Sequence, residues 1–157
     1  MDASQQAEAQ LEQVVRERME GASHDSVAVV VAMAGLLARV AFADRQYTEQ
    51  EARRVRDELQ LVLGFSERDV DAVCAALEQH IDTVGAGPIE RYTDVLRGHL
   101  DVHMRADTVK VLVELAAADE EIAPAEESVI RATARSLWVD EALLEALIQR
   151  AHQLLRR

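Results

Sequence analysis

Two short acidic stretches carry the most specific chemistry in this chain. The first reads Ala43-Asp44-Arg45-Gln46-Tyr47-Thr48-Glu49-Gln50-Glu51, and the second Ala118-Asp119-Glu120-Glu121-Ile122-Ala123-Pro124-Ala125-Glu126. The two aspartates stand 75 positions apart. In each stretch an apolar run ends on the Asp, a bulky apolar residue follows three positions later, and a Glu follows seven positions later. Hard cations such as calcium or magnesium take several oxygen ligands, so an Asp and a Glu with backbone carbonyls and water suit one. Asp44, Glu51, Asp119 and Glu126 are therefore the candidate metal ligands. The spacing is not that of an EF-hand, which needs alternating acids, a central Gly and a Glu at position twelve.

The same residues have structural readings. Thr48-Glu49-Gln50-Glu51 fits a capping box, with a hydroxyl at the helix N-cap and a Glu three residues on. In the second stretch Pro124 suits the first helical position and Glu126 the third. Each Glu then caps a helix and favours its positive end. The aspartates are harder to absorb, because a helix C-terminus disfavours an anion by roughly 0.3–1 kcal/mol. Asp also accepts local backbone N–H groups, which would make each turn a purely structural clasp. A third reading makes the acids an edge for docking a partner.

Other chemistry is sparse. Cys74 is the only cysteine, which excludes an internal disulfide and a thiolate zinc cage; it falls on an apolar helical face and reads as a small core residue. His99 and His103 have the i,i+4 spacing of zinc ligands, but Asp101 between them is a natural N-cap and argues against one continuous helix. Gly85-Ala86-Gly87 lacks the lysine of a phosphate loop, and no GxSxG or HExxH occurs. Trp138 is expected to pack across a helix junction; exposed, it would suit an interface.

The elements that must position these residues are helical. The chain has 157 residues, 49% of them hydrophobic and only 3% aromatic, with two prolines and six glycines. Such a composition, rich in Ala, Leu, Glu and Arg, predicts an all-α fold with an aliphatic core. Residues 5–20 form an amphipathic helix (Leu11, Val14, Val15, Met19) that docks on the body or swaps into a partner chain. Residues 26–43 form a helix apolar on nearly all sides, which marks it as buried; it is short for a membrane span and carries Arg39. Two amphipathic helices follow, at about 49–62 and after Ser66. Asp82–Pro88 reads as a linker, with Pro88 in the first turn of the next helix. A second apolar helix then carries Val109 to Ala116, followed by residues 124–137 and a last helix from about 140. On that helix Leu143, Leu144, Leu147, Ile148, Leu154 and Leu155 are expected to face inward. The result is a single compact bundle of about seven to eight helices over residues 1–157, built from two pseudo-repeated halves at about 5–81 and 88–157.

The formal charge is −12, which argues against nucleic acid and anionic membranes as partners and favours cations or basic surfaces. Lys110 is the sole lysine and reads as a compositional habit. The N-terminus is polar and lacks a signal-peptide pattern, so the cytoplasm is the expected location.

The pattern Ala-Asp-x-x-hydrophobic-x-x-x-Glu after an apolar helix, present twice in a helical chain of this size, resembles the TerB-like superfamily. The resemblance spans about residues 26–155. It implies a compact helical fold of two related halves and a non-enzymatic role in metal or envelope stress. It also implies divalent-cation binding at the acidic turns, carried here by Asp44 and Glu51 and by Asp119 and Glu126. Members usually place Gly after the Asp, where this chain has Arg45 and Glu120; Arg45 can neutralise Asp44, which favours the second turn. The rival expectation is an interaction adaptor without metal, its acids serving only as caps, with self-association left open.

Overall fold

The computed structural model describes residues 3–43, 47–63, 66–84, 87–117 and 122–155. Among the described residues there are nine helices and no strand: α1 Ala3–Arg18, α2 His24–Ala41, α3 Glu49–Leu63, α4 Glu67–Gln79, α5 Ile81–Val84, α6 Glu90–His99, α7 Val102–Ala116, α8 Pro124–Ser136 and α9 Glu141–Leu155. The all-α expectation holds. The expected linker differs in part, because Ile81–Val84 is a helical turn. Pro88 also lies outside the helix it was expected to open, since α6 starts at Glu90 with Ile89 as its N-cap. Gly64, read as the end of α3, lies outside the described residues.

Helix α2 is the axis of the bundle. It packs against α1, α3, α5, α6, α7 and α8, and Val27, Val30, Val31, Leu36, Leu37 and Val40 are all buried. Its length and hydropathy would suffice to cross a membrane, but 67% of it is buried inside the fold. Small residues let neighbours approach closely. At Gly35 the Tyr92 ring lies so near that an added Cβ would sit 2.5 Å from it. Ser23 caps α2, Ser66 caps α4 and Asp101 caps α7, each side chain accepting a backbone N–H of the first turn.

Two contacts fix the direction of α7 against α2. His99 Nε2, just before α7, lies 3.4 Å from Asp25 Oδ1 in the first turn of α2. Further along, the Thr108 hydroxyl lies 3.7 Å from Met33 Sδ. Both contacts are met only if the helices run side by side in the same direction. Their C-termini, Ala41 and Ala116, therefore fall at the same end of the bundle. Helices α3 and α8 start from that end, at Glu49 and Pro124.

Expectations about Trp138 and α9 are corrected, and one alternative for α1 is met. Trp138 does not pack across the junction: it is 70% exposed, with φ +58°. Leu143 and Leu154 are exposed instead of facing inward, while Leu144, Ile148 and Ala151 of α9 are buried in the core and Leu147 and Leu155 pack against it. Helix α1 docks on α2, α4 and α5 of its own chain through Ala7, Leu11 and Val15.

Candidate acidic-turn site

The two glutamates of the motifs sit at the starts of α3 and α8 and point inward. Glu51 is 2% exposed and Glu126 3%. Thr48 N–H donates to Glu51 Oε1 at 3.3 Å, and Glu51 N–H donates to Thr48 Oγ1 at 3.1 Å. This is the full reciprocal capping box, satisfying two orphan donors of α3. In the second copy Ala123 N–H donates to Glu126 Oε1 at 3.3 Å. Ala123 has no hydroxyl to return the bond, so α8 has half a box, with Pro124 at its first turn. The apolar residues of the motifs anchor the turns: Ile122 is buried and Tyr47 packs on the core. Burial pushes the Tyr47 hydroxyl well above its ordinary pKa, and the nearby Glu78, Cys74 and Glu51 add to the shift.

Asp44 and Asp119 lie outside the described residues, each three positions past the last residue of its apolar helix. The helices thus end on Ala41 and Ala116, before the aspartates. Among the described residues no three His, Cys, Asp or Glu side chains gather as a metal cluster. What those residues settle is the surroundings of both turns. Each turn leaves a helix C-terminus, whose last carbonyls and dipole favour a cation, and each leads into a helix start already capped by a Glu.

The minor candidates resolve simply. His99 and His103 lie on different helices, with Asp101 capping the second. His99 Nδ1 meets the Val95 carbonyl at 2.9 Å, and that bond, with Asp25 beside the ring, raises its pKa above 6.5. Cys74 is half-buried, and burial pushes its thiol up to about 11, so it is no ready nucleophile.

The sequence reading overlooked a second feature. Helices α3, α7 and α9 enclose a cleft of about 530 Å³. Arg54 spans it, with ion pairs of 3.1 Å to both Glu58 and Glu114. Lys110, dismissed as compositional, is on its wall. Only the arginine-over-lysine bias could have marked that position, and no neighbour in sequence signals the cleft.

Comparison with curated proteins and with solved structures gives no significant match. A family model described as tellurite resistance protein TerB matches residues 30–150, a span that contains both acidic turns and all of α7 and α8. With that match over most of its length, and with the helical fold it implies in place, the chain belongs to the TerB family.

Proposed function

We propose that this TerB-family chain is a non-catalytic helical module that takes divalent cations at its two acidic turns, serving a cytoplasmic response to metal or envelope stress. One observation supports the reading most: α2 and α7 run in the same direction. Both turns then open at one end of the bundle, where two helix C-termini concentrate negative potential. The donor chemistry fits calcium or magnesium, since the turns carry carboxylates and helix-end carbonyls and no thiolate. Asp44 and Asp119 are the proposed primary ligands, with Glu51 and Glu126 behind them also holding the caps. The second turn is the stronger site, because Glu120 follows its Asp where Arg45 follows the first.

Thermal melts with chelator, calcium, magnesium, manganese and zinc test this. A cation at 100 times its dissociation constant adds about 2.7 kcal/mol to stability. The gain should disappear in Asp44→Asn/Asp119→Asn, and Asp119→Asn alone should remove more of it than Asp44→Asn alone. No gain with any metal, or an undiminished gain in the double variant, sinks the proposal.

A second reading, an interaction adaptor, draws on Trp138. Helix α8 ends in a Schellman motif, with Val139 N–H donating to Ala134 O at 2.9 Å and Trp138 N–H to Arg135 O at 3.0 Å. Trp138 occupies the left-handed position that Gly normally fills. A non-Gly residue there costs roughly 1–2 kcal/mol, while the Arg97 guanidinium, 4.6 Å from the ring centroid, returns about 0.5–1 kcal/mol. Trp138→Gly should therefore raise stability by a few tenths to about 1 kcal/mol in chemical denaturation. A gain would mean that the ring is kept at a cost to the fold, as a residue serving an interface can be. A loss would mean that the ring holds the fold.

A further inference from the structure

The cleft between α3, α7 and α9 differs in charge from the rest of the molecule. The whole chain carries −12, yet among the described residues the cleft is lined by Arg53, Arg54, Lys110 and Arg150 against Asp57 and Glu114. Arg54 is neutralised by Glu58 and Glu114 at 3.1 Å each. Arg53 leans on the exposed Glu49 at 3.7 Å. Lys110 and Arg150 form no ion pair with any described residue. Among the described residues, two cations and one carboxylate, Asp57, therefore line one depression without ion pairs.

Part of the lining is apolar. Val113 of α7 and its C-cap Ala117 share the lining with Leu147 and Ala151 of α9, and Leu154, also in the lining, is 57% exposed. The two alanines leave depth where larger side chains would have closed the helix contact. The volume falls within the roughly 300–1,000 Å³ usual for small-molecule sites. A protein partner is the poorer fit. Stable interfaces cover roughly 800 Å² per side and centre on aromatic anchors, but among the described residues the cleft lining holds no aromatic residue and Leu154 is its one exposed large apolar side chain.

We propose that this cleft binds a single-chain fatty carboxylate, its alkyl chain laid between α7 and α9 and its headgroup held by Lys110 and Arg150. The proposed headgroup contacts, Lys110 and Arg150, are not acidic-turn residues, but Gln50 and Ala117 of the lining adjoin the two turns in sequence, so binding here is measured with no divalent metal present. The second cleft, about 380 Å³ between α2 and α7, offers an internal comparison: it is lined by Val29, Met33 and Met104, and its only charged lining residue is Asp107. An anionic headgroup is repelled there.

The test is calorimetry and methyl chemical-shift mapping with dodecanoate, kept below its micelle concentration, on the full chain. The expected result is saturable one-to-one binding that shifts the methyls of Val113, Leu147 and Leu154. Lys110→Gln/Arg150→Gln should weaken binding at least ten-fold; both side chains are exposed, so the fold has no stake in them. Neutral dodecyl maltoside, with the same chain, should bind at least ten-fold more weakly than dodecanoate. Leu154→Ser should reduce affinity for dodecanoate while leaving the melting temperature in place. Absence of saturable binding overturns the proposal. So does equal affinity in the double variant, equal affinity for the neutral amphiphile, or shifts confined to Val29, Met33 and Met104.

Discussion

Ala123 stands where the first acidic turn has Thr48, and that one difference separates the two helix starts. Its backbone is already extended, φ −63° and ψ 143°, as an N-cap requires. Glu126 already returns its half of the box. Ala123→Ser should add the missing acceptor for the N–H of residue 126 and stabilise the protein by about 1 kcal/mol, with Thr48→Ala costing about as much. Urea denaturation of both variants checks the pair; no gain from the serine would mean that Glu126 alone satisfies the end of α8. A second residue sets a pH dependence. Burial raises the pKa of Glu58 above 4.5, with Glu114 and Asp57 adding to the shift and Arg54 opposing it. A carboxyl with a raised folded pKa binds more protons folded than unfolded, so its contribution is most favourable below 4.5 and is lost as pH rises through the folded value. Relative to Glu58→Gln, the wild type should lose stability from pH 4.5 upward. Denaturation across pH 4.5 to 7.5 reads the slope, and a slope of the opposite sign would mean that the Arg54 pair outweighs burial.

At the scale of elements, the contact of α6 on α2 turns on Gly35. An alanine there would gain about 1 kcal/mol of helix propensity. Against that stands a Cβ 2.5 Å from the ring of Tyr92, and the ring cannot yield because it is fully buried in the core. Overpacking of this kind costs about 1–3 kcal/mol, so Gly35→Ala should destabilise on balance. The loss should shrink in a Tyr92→Leu background, which a double-mutant cycle measures; strictly additive losses would remove the ring as the cause. Such long-range contacts mark the limit of what periodicity could convey. The apolar runs of α2 and α7 and the caps Ser66, Asp101 and Thr48 were legible, because each is written within a few neighbouring residues. Glu51 and Glu126 were legible as caps for the same reason. Leu143 and Leu154 lie on the apolar stripe of α9 yet stay 40% and 57% exposed, since a stripe states which face is apolar and not how far the opposing helix extends. Trp138 was misjudged because apolar size suggests burial, while its left-handed backbone, which aims it outward, leaves no mark in sequence without a glycine. The cleft cations come from α7 and α9, and only the fold brings Lys110 and Arg150 to one cleft.

For the molecule as a whole, charge sets how stability answers to salt. The chain has 29 acidic against 17 basic side chains. Several cations are already spent in surface pairs, such as Arg131 with Glu127 and Glu145, Arg91 with Glu8, and Arg56 with Asp71. Exposed pairs of this kind contribute about 0–1 kcal/mol each and weaken as salt rises. The excess negative charge works the other way, since its self-repulsion opposes the compact state and is relieved by screening. Helices α2 and α7 end at the same end of the bundle; on the proposed reading the acids that follow them in sequence add to that repulsion, which salt screens over about 10 Å at 0.1 M. Repulsion should win: raising sodium chloride from 0.02 to 0.5 M should raise the melting temperature by roughly 2–4 °C, about 1 kcal/mol for a chain of this size. A fall would mean that the ion pairs carry more stability than the net charge removes. The same titration gives the baseline for the cation experiment, because a divalent ion that merely screens will follow the sodium curve at matched ionic strength. Specific binding must exceed that curve, saturate at low concentration, and vanish when Asp44 and Asp119 become asparagine.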